Sequence, residues 1–433
     1  MKQVTIAVIG AGQRGTGYAD YVSEHPHEAR IVAVAEPNPA RRERFRLRHN
    51  LSEESCFASW QELLDKPPLA DAALVCTQDR QHFEPSMAAL GTGYHVLLEK
   101  PMSPDPRECL KMGQRAEQVE RIFSICHVLR YTSFFSTIKQ LVTEGALGRL
   151  ISIQHNENVA FWHYAHSFVR GNWRNLRESS PMILAKSCHD MDILHWLAGA
   201  DCLNLSSFGS LTHFTAANAP SGAPNRCLDG CPAEASCQYY APKIYLTGKT
   251  GWPISVISED TSLPALVKVL EVGPYGRCVY HCDNDVVDHQ VVNMEFANEV
   301  TAAFTMSAFT SDVGRSLKLM GTKAELRGIV DDQHNEIEIR DFTTGAIKHL
   351  DLTHMNNQGG HGGGDYGIMR NFIHLVQHFP ASGNQSETAV GKSVQSHLMA
   401  FAAEESRLTR TTINLPEFTQ RIQALANQGS SDG

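Results

Sequence analysis

Short apolar runs alternate with longer polar segments over the first part of the chain. The apolar runs are rich in β-branched residues and predict strands at residues 4–9, 30–35, 72–77, 95–98 and 122–125. The polar segments between them predict helices at residues 16–22, 37–49 and 106–119. This alternation predicts an α/β fold, with a doubly wound parallel sheet over residues 1–126.

The pattern changes after Leu150. Apolar and polar positions alternate, or apolar runs lie close together, as in antiparallel strands, at residues 151–154, 267–272, 291–296, 300–306, 317–320 and 336–339. Helices are predicted at residues 181–197, 368–378 and 389–409. We therefore predict a second α/β domain over residues 127–433.

Three stretches of biased composition lie within this second domain. A cysteine-, glycine- and proline-rich insertion covers residues 213–257, and a glycine-rich flexible connection covers residues 359–365. Residues 427–433 are predicted to be a flexible tail.

The first predicted strand leads into a Gly-x-Gly-x-x-Gly turn. Gly10 permits a tight bend, Gly12 permits backbone to approach a pyrophosphate, and Gly15 permits close packing of helix on strand. The second strand ends in Glu36, about twenty residues later, where a carboxylate binds the ribose hydroxyls of NAD. We therefore predict an NAD site that includes the glycines, Gln13, Arg14 and Glu36. The alternative is an α/β turn that binds no phosphate.

The helix after Glu36 is rich in arginine, which leaves the choice of dinucleotide open. These arginines can contact the 2′-phosphate of NADP, or they can form a solvated helix face. Glu36 would repel that phosphate, so the sequence favours NAD.

The bulk composition limits the classes of function. The chain has 433 residues, which favours two domains, and a net charge of −9 without a long basic run. Nucleic acid and anionic membranes are therefore not the expected partners. No apolar stretch approaches the length of a membrane span, and the first strand begins too early for a signal peptide. We expect a cytoplasmic protein whose 11 cysteines are thiols or metal ligands.

Glu99-Lys100-Pro101 follows the predicted strand at residues 95–98, at the sheet edge where such folds bind ligands. Pro101 restricts the backbone of Lys100. A partly desolvated lysine can act as an acid or base, or can donate to a hydroxyl oxygen. The alternative is a surface lysine at a strand end.

These motifs resemble those of the glucose–fructose oxidoreductase/inositol dehydrogenase (Gfo/Idh/MocA) family. The resemblance rests on the glycine turn, residues 77–82, the Glu-Lys-Pro motif, residues 127–131 and residues 189–192. It implies a nicotinamide domain and an α/β domain with a large, mostly antiparallel sheet. It also implies oxidation or reduction of a carbinol carbon on a sugar, glycoside or inositol.

The resemblance also assigns roles by position. Lys100 corresponds to the catalytic lysine and His189 to the catalytic histidine of the family. Arg130 belongs to a segment near the nicotinamide. Thr77, His82 and Glu99 belong to the cofactor-binding motifs. We expect a homo-oligomer, either a dimer or a tetramer.

One position departs from the family pattern. The family usually carries an aspartate four residues before the histidine, and here that position is Ala185, followed by Lys186. On one helix, Lys186 and His189 would share a face. Lys186 is either a ligand of a substrate hydroxyl, with a catalytic role, or the partner of Asp190 in an ordinary ion pair.

Residues 161–174 are rich in aromatic, histidine and arginine side chains, a combination that suits sugar rings. Trp173 is better explained as a core residue. Substrate contacts are predicted for Trp162, His163, His166, Arg174 and, from the glycine-rich connection, His361.

The insertion contains Cys227, Cys231 and Cys237, with Cys282 as a remote fourth cysteine. Four thiolates can hold a structural zinc ion, but the spacings differ from the paired Cys-x2-Cys type. The alternative is free thiols.

The sequence thus predicts an NAD-dependent carbohydrate dehydrogenase, in which His189 takes the hydroxyl proton and Lys100 stabilises the alkoxide. Two other functions remain open. The first is an NAD-retaining glycosidase that works by oxidation, elimination and re-reduction, with His163, His166 or His361 as a second base. The second is an NAD-binding redox sensor without turnover.

Overall fold

The computed structural model describes residues 2–355, 358–381, 383 and 385–428. Its first sheet has six parallel strands in the order β3-β2-β1-β4-β5-β6. These strands are β1 (Val4–Ile9), β2 (Ala29–Ala35), β3 (Cys56–Phe57), β4 (Ala72–Val75), β5 (His95–Leu98) and β6 (Phe123–Ile125). The reversal of strand order beside β1 creates the crevice in which such sheets bind dinucleotides.

Helices connect these strands and cover both faces of the sheet. They are α1 (Gln13–Glu24), α2 (Pro39–Arg48), α3 (Trp60–Leu64), α4 (Phe83–Gly91) and α5 (Pro106–Gln118). Short 3-10 turns lie at Glu53–Ser55, Asp79–Gln81 and Val128–Tyr131. Proline near the first turn of α2 and α5, with Asn38 and Asp105 as caps, explains where these two helices begin.

The second sheet has nine strands in the order β14-β13-β12-β11-β7-β10-β9-β8-β15. The strands are β7 (Leu150–Asn158), β8 (Cys202–Ser210), β9 (His289–Phe296), β10 (Thr301–Ser307), β11 (Gly314–Gly321), β12 (Ala324–Asp331), β13 (Asn335–Asp341), β14 (Ile347–Asp351) and β15 (Ile413–Asn414). Every neighbouring pair is antiparallel except β7 and β10. The predicted fold class is therefore confirmed.

The other helices of the described residues lie in the later part of the chain. They are α6 (Ser133–Thr143), α7 (Phe161–Tyr164), α8 (Met182–Ala185), α9 (Cys188–Ala198), α10 (Ala241–Tyr245), α11 (Ile254–Ile257), α12 (Leu263–Val272), α13 (Gly364–Gln377), α14 (Val390–Thr409) and α15 (Leu415–Gln428). A π-helical turn at Ala165–Arg170 continues α7, and 3-10 turns lie at Ala216–Asn218 and Pro274–Gly276.

Helix α13 comes from the later part of the chain but completes the core of the first sheet. Its residues Ile368, Met369 and Phe372 belong to the same buried cluster as Val4 and Ile6 of β1. The core of the first sheet therefore includes a helix from a distant part of the sequence.

Three details differ from the sequence prediction. Residues 267–272 form the end of helix α12, because Leu266 and Leu270 lie one helical turn apart and are both buried. The helix predicted over 181–197 is two helices, because Ser187 starts α9 by accepting from the N–H groups of Asp190 and Met191. Asn427 and Gln428, predicted to lie in the tail, belong to α15, while residues 429–433 lie outside the described residues.

Among the helices of the described ranges, none is both long and apolar enough to span a bilayer.

Candidate active site

The glycine turn between β1 and α1 has the backbone that its sequence predicts. Gly10 has φ of 95°, and a Cβ atom there would lie 2.6 Å from the carbonyl oxygen of Cys76. A Cβ atom at Gly15 would lie 2.1 Å from the carbonyl oxygen of Gly10, so helix and strand pack closely only with glycine. Around Gly12, in contrast, no heavy atom of the described residues lies within 4 Å of the Cβ position. This open side lies at the N-terminus of α1, which fits a pyrophosphate.

Glu36 lies beside this turn and is almost fully buried. Its carboxylate accepts from the backbone N–H of Ala11 at 2.9 Å and from that of Asn38 at 3.0 Å. These two bonds hold the carboxylate at the carboxyl end of β2, where it can still accept from ribose hydroxyls. Glu36 is followed by the arginine-rich helix α2. Two of its arginines form ion pairs with other acidic residues, Arg46 with Glu43 and Arg48 with Asp20.

The predicted cofactor motifs after β4 and β5 are joined by the buried imidazole of His82. Its ring nitrogens lie 2.6 Å from the carbonyl oxygen of Pro101 and 3.1 Å from that of Thr77. The peptide bond between Lys100 and Pro101 is cis. His82 therefore connects the loop that carries Thr77 to the one that carries Lys100, and positions both at the same sheet edge.

Arg14 does not extend freely toward a ligand. Its guanidinium pairs with Glu99 at 2.7 Å and with Asp365, in the first turn of α13, also at 2.7 Å. Burial would raise the pKa of Glu99, but Arg14 and Lys100 outweigh it and hold that pKa below its usual value. Gln13, the neighbouring residue, is exposed at the start of α1.

Lys100 and His189 lie close enough for the charge of Lys100 to act on the imidazole. The ammonium of Lys100 donates to the carbonyl oxygen of Ala185 at 2.9 Å, four residues before His189. His189 is 4% exposed, and its Nδ1 atom has no hydrogen-bond partner among the described residues. Burial, and then the charge of Lys100, lower the pKa of His189 well below the usual value. The imidazole is therefore neutral at physiological pH and available as a base.

Two further histidines flank His189. The rings of His127 and His361 have centroids 5.9 Å and 6.1 Å from that of His189. A ring nitrogen of His361 lies 3.0 Å from the carboxylate of Asp365, which also pairs with Arg14. His361 is thus held beside the Lys100–His189 pair by the same carboxylate that connects to the glycine turn.

A buried network of charged side chains lies near Lys100 and His189. Lys186 pairs with Glu157 of β7 at 3.1 Å, and Arg315 of β11 pairs with both Glu157 and Asp190. Asp190 in turn contacts the ring of His155 at 2.8 Å. Of the two alternatives for Lys186, the ion pair is therefore formed with Glu157 and not with Asp190, whose carboxylate contacts Arg315 and His155. A contact of Lys186 with a substrate hydroxyl stays a prediction.

Arg130 lies in an ion pair of its own. Its guanidinium contacts both carboxylate oxygens of Asp192 at 2.7 Å, and both side chains are buried. This bidentate pair fixes α9, which carries His189. Arg130 thus acts on the candidate site through α9, and its predicted contact with the nicotinamide stays a prediction.

The aromatic stretch divides into a buried part and an accessible part. His166 is buried, stacks on Tyr275 at 4.9 Å and contacts the hydroxyl of Tyr245 at 3.0 Å. The rings of Trp162 and His163 lie 5.4 Å and 4.8 Å from that of Trp252, which is 40% exposed. These three rings form the accessible aromatic surface. Trp173 packs against the core, as predicted.

Arg174 lies in a cluster of charged side chains. Its guanidinium pairs with Asp283 at 2.9 Å and with Glu178 at 2.8 Å. Its assignment to the substrate site stays a prediction.

The zinc prediction finds no support. In the part of the chain that the structure describes, no group of three or more His, Cys, Asp or Glu side chains stands ready to hold a metal ion. The Sγ atom of Cys282 donates to the carbonyl oxygen of Cys278, and Cys282 is not among the residues around the cavity that Cys227, Cys231 and Cys237 share.

Several residues of the site were missed in the sequence. Glu157 and Arg315 come from two strands that are far apart along the chain, and Trp252 comes from the insertion. Asp365 ends the glycine-rich connection, and an acid at the start of a helix was the signal that could have marked it. The others carried no local signal.

The parallel sheet with its glycine turn, and a lysine beside a neutral histidine at the same edge, define a dinucleotide-dependent oxidoreductase. The sequence matches the oxidoreductase family with an NAD-binding Rossmann fold over residues 4–127, and the C-terminal alpha/beta domain of that oxidoreductase family over residues 139–415. The chain therefore belongs to the Gfo/Idh/MocA family, which confirms the resemblance seen in its motifs.

Individual relatives are distant. YteT of Bacillus subtilis (strain 168) is 21% identical over 305 residues, which cover 68% of this chain and 70% of YteT. The 2,7-anhydro-N-acetylneuraminate hydratase of Escherichia coli (strain K12) is 24% identical over 198 residues, which cover 45% of this chain and 50% of the hydratase. This chain thus matches only about half the length of the hydratase.

The structure of levoglucosan dehydrogenase in complex with NADH and L-sorbose superposes with a TM-score of 0.71. It is 16% identical and covers 96% of this chain and 100% of that chain. At this identity the likeness concerns the fold.

Proposed function

We propose that the protein is an NAD-dependent dehydrogenase that acts on a carbinol carbon of a sugar, glycoside or inositol. The observation that carries this proposal is the placement of Lys100 beside the buried His189 at the edge that presents the glycine turn. The relative named 2,7-anhydro-N-acetylneuraminate hydratase supports a carbohydrate substrate.

Lys100 and His189 have different roles at the substrate hydroxyl. Bound NAD supplies the hydride acceptor. The neutral imidazole of His189 takes the hydroxyl proton, because its lowered pKa keeps it unprotonated at neutral pH. The ammonium of Lys100 stabilises the negative charge that develops on the oxygen. The same ammonium donates to the carbonyl oxygen of Ala185, which orients it.

The aromatic surface provides a place for the rest of the substrate. Trp162, His163 and Trp252 present ring faces and edges, on which the apolar C–H groups of a pyranose or inositol ring pack. Lys186 borders this region and is partly exposed despite its pairing with Glu157. We propose that the sugar binds with one face against these rings.

A substrate panel tests this function. Inositols, aldoses, 1,6-anhydrosugars and simple glycosides are each incubated with NAD, and NADH formation is followed by absorbance. We expect NADH with at least one of these polyols, and about a hundredfold less with the Lys100→Met variant on that same substrate. NAD binding by calorimetry without NADH formation from any polyol would overturn the dehydrogenase proposal.

A second candidate function is a reaction without net redox change, in which the site oxidises, eliminates and re-reduces. The observation that favours it is His361, held by Asp365 at 3.0 Å and placed beside His189 as a second base. The hydratase relative is compatible with such chemistry. NAD that stays bound through purification, with glycoside cleavage or hydration and no accumulation of NADH, would select this function.

A further inference from the structure

The charged network that contains Lys186 holds its acids and its lysine at different depths. The side chains of Glu157 and Asp190 are 0% exposed, whereas that of Lys186 is 18% exposed. Arg315 lies between the two carboxylates and pairs with Glu157 at 2.5 Å and with Asp190 at 2.8 Å. The carboxylates are therefore enclosed by the protein, and the most exposed side chain of the network is a cation.

The ammonium of Lys186 keeps donors that the protein does not use. It lies 3.1 Å from one carboxylate oxygen of Glu157. Among the described residues, this ammonium has no other hydrogen-bond or ion-pair partner. Because an ammonium has three N–H groups, two of them remain for a ligand. Glu157 thus fixes the position of Lys186 without saturating it.

Lys186 lies beside the groups that we propose act on the substrate. It directly follows Ala185, whose carbonyl oxygen holds the ammonium of Lys100 at 2.9 Å. Burial lowers the pKa of His163 and of His361, and the charge of Lys186 is among the causes that lower each pKa further. The ammonium is therefore close to the accessible aromatic surface and to the ring of His361.

The rings of His163 and His189 show the sign of the charges around the site. Burial lowers the pKa of both rings. Beyond burial, Lys186 and Lys100 lower the pKa of His163, and Lys100 and Arg315 lower that of His189. Charges that disfavour a protonated imidazole favour a ligand with a negative charge.

Given the proposed dehydrogenase function, we propose that the substrate is a sugar acid whose carboxylate binds Lys186, while Lys100 and His189 act on a carbinol of the same molecule. The two buried carboxylates of the network are balanced by Arg315 and Lys186, so no excess negative charge of this network repels an anion. Lys186 is then the residue that selects the acid.

A neutral sugar is the alternative occupant, with a hydroxyl that accepts from Lys186. A charge-assisted bond from an ammonium to a carboxylate is stronger than a bond to a hydroxyl oxygen. An acid and its neutral counterpart should therefore differ by about tenfold or more in kcat/KM if Lys186 meets a carboxylate. The two occupants thus predict different selectivities for the same site.

Matched pairs of an acid and its neutral counterpart test the proposal. They are D-glucuronate with D-glucose, D-galacturonate with D-galactose, and D-gluconate with D-glucitol. NADH formation by the wild-type enzyme gives kcat/KM for each compound, and we expect the acid to be preferred in at least one pair by about tenfold or more. Neutral members that equal or exceed their acids in every reactive pair would overturn the sugar acid, while the dehydrogenase function would stand.

Variants of Lys186 assign the preference to this residue. Lys186→Gln should raise the KM of the preferred acid by about tenfold and leave the KM of its neutral counterpart nearly unchanged. Lys186→Arg keeps the charge and should retain most of the preference. Lys348→Gln, on the exposed edge strand β14, is the control. Equal losses for the acid and the neutral compound in Lys186→Gln would indicate a purely structural role and contradict the assignment.

Two further measurements cover failures of folding and of turnover. If Lys186→Gln does not fold, the double variant Lys186→Gln/Glu157→Gln decides, because it removes both members of the buried pair. If no compound is oxidised, the dehydrogenase proposal falls, and calorimetry of the same pairs with NAD-loaded enzyme decides the ligand class. Binding of an acid but not of its counterpart would support the carboxylate site. Equal binding within every pair, or no binding of any acid, would overturn it.

Discussion

The ammonium of Lys100 is held at 2.9 Å by the backbone carbonyl of Ala185. Ala185 occupies the position at which the Gfo/Idh/MocA family usually has an aspartate, so a neutral oxygen takes the place of a carboxylate. A carbonyl dipole orients the lysine without cancelling its charge. The positive charge of Lys100 also helps to lower the pKa of His189.

Lys100→Ala and His189→Ala are each expected to lower kcat by about a hundredfold or more, because each removes a group that we propose acts in the proton-transfer step. NAD affinity should change little, since neither side chain belongs to the glycine turn. Steady-state kinetics and calorimetry measure the two effects. Lys348→Ala, on the exposed edge strand β14, is the control. Near-normal turnover in either catalytic variant would contradict its assigned role.

Glu36→Ala should narrow the preference for NAD over NADP. The carboxylate accepts from ribose hydroxyls in NAD but repels the 2′-phosphate of NADP. Dissociation constants for both dinucleotides give the ratio. Glu43→Ala, in the exposed helix that follows, should leave the ratio unchanged. A wild-type protein that binds NADP more tightly than NAD would exclude this role for Glu36.

Lys186→Ala should reduce stability as well as activity, because its partner Glu157 is fully buried. Removing one member of a buried pair costs up to about 3 kcal/mol, and Arg315 as a second partner of Glu157 will lower that figure. The double variant Lys186→Ala/Glu157→Gln should recover part of the loss, since it removes the excess negative charge that Glu157 and Asp190 leave around Arg315. Denaturant unfolding of the two single variants and the double variant measures this coupling. Additive losses would show that the two groups do not interact.

The free energy of unfolding should fall as the pH is lowered below about 6.5, the ordinary pKa of histidine. Burial lowers the pKa of both His127 and His166 to about 4, so the folded protein excludes protons that the unfolded chain binds. Stability is therefore lost across pH values from about 6.5 down to about 4.

Denaturant unfolding at several pH values in this window measures whether stability falls with pH. Histidine variants then show which residues cause the fall. His127→Gln and His166→Gln should each reduce the pH dependence, because each removes one excluded proton. His349→Gln, whose side chain is 72% exposed, should not. An unchanged pH dependence in both buried variants would contradict the assignment.

Local motifs could be predicted from the sequence, and contacts between distant strands could not. The glycine turn, Glu36 and Lys100 each follow a strand directly, so their places at the sheet edge follow from topology. Glu157 and Arg315 meet because β7 and β11 pair in one register, which no local pattern specifies. The ion-pair alternative for Lys186 therefore named Asp190, whereas the structure shows Glu157 as the partner.

Two other errors have the same origin. The apolar run at residues 267–272 fits either a strand or a helix, and only the buried face of α12 decides. Cys278 and Cys282 are four residues apart, and the sequence does not tell which of them faces the other three cysteines. The pairing of the segments around Cys227 and Cys278 places Cys278, and not Cys282, beside the other three cysteines.

Helix α13 has a consequence for how the protein is made. Its residues Ile368, Met369 and Phe372 cover Val4 and Ile6 of the first strand. A ribosome therefore has to synthesise more than 360 residues before this face of the first sheet can be covered by its native partner. Until then the nascent chain exposes apolar residues of the first strand. A fragment that ends after β6 should therefore bind chaperones and should not fold stably on its own.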